Sequence, residues 1–189
     1  MSPVHPATAE ASESLAGTSA RAGLPARDRF IIGAMVFFVV MAYTIELYYV
    51  LFHGTVRQRT DFFAQAYRVY GAGDQSYYGG WYVYTAVAFE SLNVFISQFL
   101  NLWLIYAIVK RAYYRYVLQI ILSSYLAYSV VLYFTISIVS GFEGMPEKTP
   151  WAFFLLIAPN LPWLLIYAWM TWDAARAMLP VLRRAQGVR

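Results

Sequence analysis

Cysteine is missing altogether and histidine nearly so. With no Cys and two His in 189 residues, disulfides, thiolate catalysis and cysteine metal sites are excluded. His5 and His53 alone cannot build a multi-histidine metal centre. Charge is scarce too: 13% of the residues are Asp, Glu, Lys or Arg, against about a quarter in an average soluble domain. What fills the chain is apolar: 60% is hydrophobic and 19% aromatic. A soluble fold this short cannot bury that much apolar surface. Disorder, collagen and an ordinary water-soluble enzyme are therefore excluded, and a bilayer protein is expected. The formal charge of +4 then reads as orientation and headgroup contact, not nucleic-acid binding.

Residues 1–28 are rich in Ala, Ser, Pro, Gly and Thr and hold no apolar run. They lack the continuous hydrophobic stretch of a secretory signal, and are expected to be a disordered tail ahead of one domain over 29–189. Four apolar segments follow, at about 30–52, 81–109, 116–139 and 151–170. Each is long enough to cross a hydrocarbon core of roughly 30 Å, and backbone groups in lipid must bond internally, so helices are expected. The fold class is thus an all-α integral membrane bundle of four transmembrane helices. Within the long connection 53–80, residues 61–70 suit a short interfacial helix. Arg21, Arg27, Arg29, Lys110, Arg111, Arg115, Arg176, Arg183, Arg184 and Arg189 fall at one end of such a bundle; Arg57, Arg59, Arg68 and Lys148 fall at the other. That bias puts both termini in the cytoplasm, in the endoplasmic reticulum membrane of a eukaryote or the plasma membrane of a bacterium.

The informative residues are the polar ones inside the spans. Glu46 and Glu90 are the acids well inside, and a carboxylate at membrane depth points to function. Glu90, Asn93, Ser97 and Asn101 are spaced 3, 4 and 4, one helical stripe. Tyr43, Glu46, Tyr49 and His53 share a face more loosely. Pro159 and Pro162 flank Asn160 and precede Trp163, and should break the fourth helix locally and free carbonyls. Counted from the outer helix ends, Glu46, Tyr133, Glu90, Asn160 and Trp163 lie about 9, 10, 13, 13 and 18 Å deep. A polar, aromatic-lined cavity in the outer half is expected. A second reading stays open for Asn93, Ser97 and Asn101, as hydrogen-bonding glue between helices. Asp173 reads as a solvated helix end and His53 as an interface residue.

Two carboxyls in such a cavity have a definite chemistry. A carboxylic acid out of water keeps its proton to higher pH and can protonate an alkene or epoxide. Aromatic faces hold the resulting cation, and the second carboxylate takes a proton from a neighbouring carbon. Double-bond migration results, or cyclisation if the substrate folds back on itself. Cofactors are not required. Glu46 and Glu90 are the candidate catalytic pair, donor and acceptor unassigned; Tyr43, Asn93, Tyr133, Asn160 and Trp163 are the candidate substrate-binding residues.

At these residues the chain resembles the emopamil-binding protein (EXPERA) superfamily, which includes sterol Δ8–Δ7 isomerase. The matching stretches are YTIELYYVLF (43–52), GDQSY (73–77), FES (89–91), YVLQI (116–120), VLYF (131–134) and NLPW (160–163). Their order and spacing agree over roughly 36–178. The four-span form is similar to the receptor-type and lysosomal branch. The resemblance implies that Glu46 and Glu90 transfer protons and that Asn160 and Trp163 line a sterol pocket, Trp163 facing the carbocation. The sequence departs from the family pattern at Ala42, where a histidine is usual, at Val130 in place of an aspartate, and at Ser76 in place of an arginine. Two functions remain: an isomerase or cyclase of a sterol- or terpenoid-type lipophile, or a non-catalytic binder of sterols or cationic amphiphiles. The expected partners are that lipophile and the bilayer, with no nucleic acid; a homodimer is compatible with the sequence, which does not fix the oligomeric state.

Overall fold

In the computed structural model, residues 23–80 and 82–187 are described. Four helices are long and apolar enough to cross a membrane: Ala26–Phe52, Val83–Val109, Arg115–Val139 and Pro150–Ala185. The described residues include no strand, so the protein is an all-α integral membrane bundle. Most of the expected tail, residues 1–22, lies outside the described residues, while Ala26, Arg27 and Asp28 open the first helix. The core between the spans is apolar, with Ile31, Met35, Phe38, Leu104, Ile108, Leu122, Tyr167 and Met170 fully buried.

Asp28, Arg115 and Asp173 explain why the helices extend past the apolar runs. Arg115 donates to both oxygens of Asp28, at 2.8 and 2.6 Å. Arg27 donates to Asp173 at 3.3 Å and to the Tyr116 hydroxyl at 2.9 Å, and the Gln119 amide donates to Asp173 at 3.3 Å. These contacts clip one end of the first, third and fourth spans together. Asp173 is 8% exposed, not the solvated helix end its position suggested; Arg27 arrives from the far end of the sequence.

The proline-flanked stretch does break the fourth span, into helices Pro150–Ile157 and Leu161–Ala185. Pro159 and Pro162 have no N–H to give to the carbonyls four residues back. At the break the Asn160 N–H turns to the Ile157 carbonyl at 3.1 Å, and the Leu156 carbonyl accepts from the Asn160 side-chain amide at 2.8 Å.

The first and second spans each contain one wide, π-helical turn, Ala42–Glu46 and Asn93–Ser97. Such a turn admits an extra residue and shifts the face that follows it. In the first span the Thr44 hydroxyl donates to the Val40 carbonyl at 2.6 Å. The widened turn also carries Tyr43 off the face of Glu46. Tyr43 is 43% exposed and stands on the outer surface of the bundle, away from the site where it was expected.

The connection 53–80 folds over one end of the bundle. Its short helix is Phe62–Tyr70, capped by Asp61, whose carboxylate accepts from the Ala64 N–H at 3.1 Å. Gly73 then lies against the fourth span so closely that a Cβ there would sit 2.9 Å from the Ala152 carbonyl and the Leu156 nitrogen. The Asp74 carboxylate gathers the segment, accepting from the Ser76 N–H at 2.9 Å, the Ser76 hydroxyl at 2.7 Å and the Tyr133 hydroxyl at 2.7 Å.

Candidate active site

A cavity of about 220 Å³ lies beneath that cover. Glu46 enters it from the first span, Glu90 and Asn93 from the second, Tyr133 from the third, Asn160 and Trp163 from the broken fourth. Of the candidate catalytic and substrate-binding residues, Tyr43 alone is not among its walls. Leu92 and Tyr128 also line it, although they are 49% and 63% exposed. The wall between the second and third spans is therefore open at the side, where a membrane protein meets lipid rather than water.

The Glu46 and Glu90 carboxyls face the same cavity and interact with each other, with Tyr77 beside Glu90. The pair lies in a site walled mainly by apolar and aromatic groups. The Asn93 amide donates a short hydrogen bond to Glu46 Oε2. Trp163 lies stacked on Phe38, ring centroids 3.9 Å apart, so its plane is fixed by packing. Asn160 ties the floor to the cover: its amide donates to the Tyr70 hydroxyl at 3.1 Å, which lies 3.3 Å from the Tyr133 hydroxyl.

Four contributors were not singled out from sequence. Tyr77 comes from the loop; burial, and next the Glu90 carboxyl, push its hydroxyl well above the ordinary phenol range. It therefore keeps its proton and does not act as a base. Burial likewise raises the Tyr70 hydroxyl. Tyr167 lines the cavity one turn beyond Trp163, tilted against it at 6.2 Å; the spacing of four on one helix was its signal. Gln98, fully buried, holds Asn93 from behind and had no signal in an α-helical reading. No group of three or more His, Cys, Asp or Glu that could hold a metal occurs among the described residues.

Comparison with known proteins falls on much of this region, with Glu46 and the first span outside the family match. The model of EXPERA (EXPanded EBP superfamily) matches residues 62–174. The chain belongs to the EXPERA family. Among curated proteins, this EXPERA chain is 28% identical over 137 residues to the 3-beta-hydroxysteroid-Delta(8),Delta(7)-isomerase of Rattus norvegicus, covering 70% of this chain and 57% of that protein. It is 27% identical over 136 residues to the Mus musculus protein of the same name, with the same coverage. The match thus spans little more than half the length of these relatives.

Proposed function

We propose that this EXPERA protein is a membrane-embedded isomerase that shifts a carbon–carbon double bond in a sterol-type lipophile. The observation that carries the reading is the Glu46–Glu90 pair brought together in a side-opening cavity that Trp163 also lines. The relatives' printed names describe a double-bond shift in a 3β-hydroxysteroid, and that is the substrate class the pair suits.

The protonated carboxyl of the pair gives its proton to one alkene carbon, leaving a carbocation on the other. Trp163 offers that cation an aromatic face. The ionised carboxyl removes a proton from the carbon next to the cation, and the C–H electrons form the new double bond. Substrate atoms are conserved. The pair ends with its proton on the other carboxyl and is reset by proton transfer between Glu46 and Glu90. Asn160 and Tyr133, held by the loop, close the cavity against water that would trap the cation. A folded-back substrate with a second alkene would cyclise by the same first step.

The test is incubation of the purified protein with a Δ8 3β-hydroxysterol, with products identified by mass spectrometry and NMR. The Δ7 isomer should form with the unaltered protein. Gln has nearly the shape of Glu but cannot deliver a proton, so Glu90→Gln should cut turnover by about 10²-fold or more while its melting temperature holds. A well-folded Glu90→Gln protein with near-normal turnover removes the acid–base role and leaves a binding protein.

A further inference from the structure

We infer that Gln98 is a positioning residue for Glu46, holding the Asn93 amide so that its N–H faces the carboxyl. Gln98 is fully buried and is not part of the cavity wall, so any effect it has on substrate runs through another residue.

The geometry is a chain of amides pointing one way. Asn101 Nδ2 donates to Gln98 Oε1 at 2.8 Å. Gln98 Nε2 donates to Asn93 Oδ1 at 3.1 Å, and Asn93 Nδ2 donates to Glu46 Oε2. An isolated Asn93 could turn either its N–H or its carbonyl towards Glu46. Gln98 removes that choice, because its own donor meets the Asn93 carbonyl and its own acceptor is taken by Asn101. The far end is anchored on the fourth span, where Asn101 Nδ2 lies 3.4 Å from the Tyr167 hydroxyl. Asn101 Oδ1 is left buried with no partner, an unfavourable state for an acceptor. Each amide of the chain thus gives one donor towards Glu46, and Asn101 gives its second to Tyr167.

The wide turn makes the chain possible. Residues five apart do not share a face of an α-helix, but the π-helical turn Asn93–Ser97 brings Gln98 beneath Asn93. In that turn the Gln98 N–H itself bonds to the Asn93 carbonyl, so backbone and side chain are locked together. With Gln98 in place, Glu46 meets a fixed donor before substrate arrives, which is the preorganisation that proton transfer between two placed carboxyls needs.

The inference rests on the isomerase reading for its consequence in turnover, so the test carries a second readout. Gln98→Leu, and Gln98→Met as the variant closer in length, would each be made alone and combined with Glu46→Gln. Turnover of the Δ8 sterol and the Kd of N,N-dimethyldodecylamine, a cation of the charge a carbocation carries, would be measured with melting temperature. Each Gln98 variant should lower kcat about tenfold with KM within about twofold and the melting temperature held. Each should weaken the amine severalfold. In the Glu46→Gln background neither should change turnover or amine affinity further, because a residue acting through Glu46 has nothing left to position. Effects that multiply across the two backgrounds, or a fall in kcat that tracks a fall in melting temperature, overturn the inference. If Glu46→Gln and Glu90→Gln abolish turnover and the Gln98 variants do not touch it, the isomerase reading stands and this inference fails. If no sterol is converted, the isomerase reading fails and the amine decides: loss confined to the Glu46 background supports positioning, and equal loss in both backgrounds, or none, overturns it.

Discussion

At the residue scale, the site is a small set of side chains with unequal tasks. In the proposed reaction Glu46 and Glu90 carry the proton and Trp163 faces the charge that forms, while Asn93 holds Glu46. Trp163→Phe keeps an aromatic face with a weaker quadrupole and should cost on the order of 1 kcal/mol in kcat/KM. Trp163→Ala should cost more, and should also lower the melting temperature, because it leaves a void against Phe38. Steady-state kinetics beside a thermal melt separate the two; equal losses in Phe and Ala would take the aromatic face out of the chemistry. Much of this set was legible in the sequence, since a glutamate in an apolar run is conspicuous on cost alone. Tyr77 and Gln98 were not, because each acts through a hydrogen bond made by the fold. Asp173 was misread for the same reason: nothing near it in the sequence announces Arg27.

At the element scale, run length alone foretold the four spans, and Pro159 and Pro162 foretold the break that presents Asn160. The π-helical turns escaped a reading made at 3.6 residues per turn. That period put Tyr43 on the face of Glu46 and gave Gln98 no place beside Asn93; the wide turns move Tyr43 outward and bring Gln98 against Asn93, while Ser97 still lines the cavity. Deleting Phe95, which is 56% exposed, should return the second span to α-helical spacing. Insertion and helix content by circular dichroism should persist, while turnover and amine binding fall by about 10²-fold through the displaced Asn93 and Gln98. Retained activity would show that the wide turn is incidental. The loop helix Phe62–Tyr70 has a pH limit of its own. Its cap Asp61 suffers some desolvation, outweighed by hydrogen bonds from the Tyr48 hydroxyl, the Ala64 N–H and Arg59, which bring its pKa to about 2 from an ordinary 3.8. A carboxyl held low stabilises the fold above its unfolded value and stops doing so as it protonates. The contribution is therefore whole above about pH 4 and is lost as pH falls towards 2. Proteolysis or hydrogen exchange over residues 53–80 should quicken across that window, and Asp61→Asn should flatten the change. An equal change in Asp61→Asn would place its cause elsewhere.

At the scale of the whole molecule, the bundle is clipped at one end by Asp28, Arg115, Arg27 and Asp173 and covered at the other by residues 53–80. Between them the cavity opens sideways past Leu92 and Tyr128, towards the bilayer. We propose that the clipped end and both termini face the cytoplasm, the side favoured by the arginines and lysines gathered there. Reporter tags at the two termini should both read cytoplasmic, and tags on opposite sides would break the four-span topology. The central claim is that the carboxyl pair protonates an alkene within this cavity. The most direct measurement is NMR of the product formed from a Δ8 3β-hydroxysterol in deuterated buffer, in which the carboxyl protons have exchanged before substrate is added. The expected product has a shifted double bond and one deuterium on the carbon that was protonated, and Glu90→Gln yields at most about a hundredth as much. A sterol recovered unshifted and unlabelled from folded, amine-binding protein would contradict it.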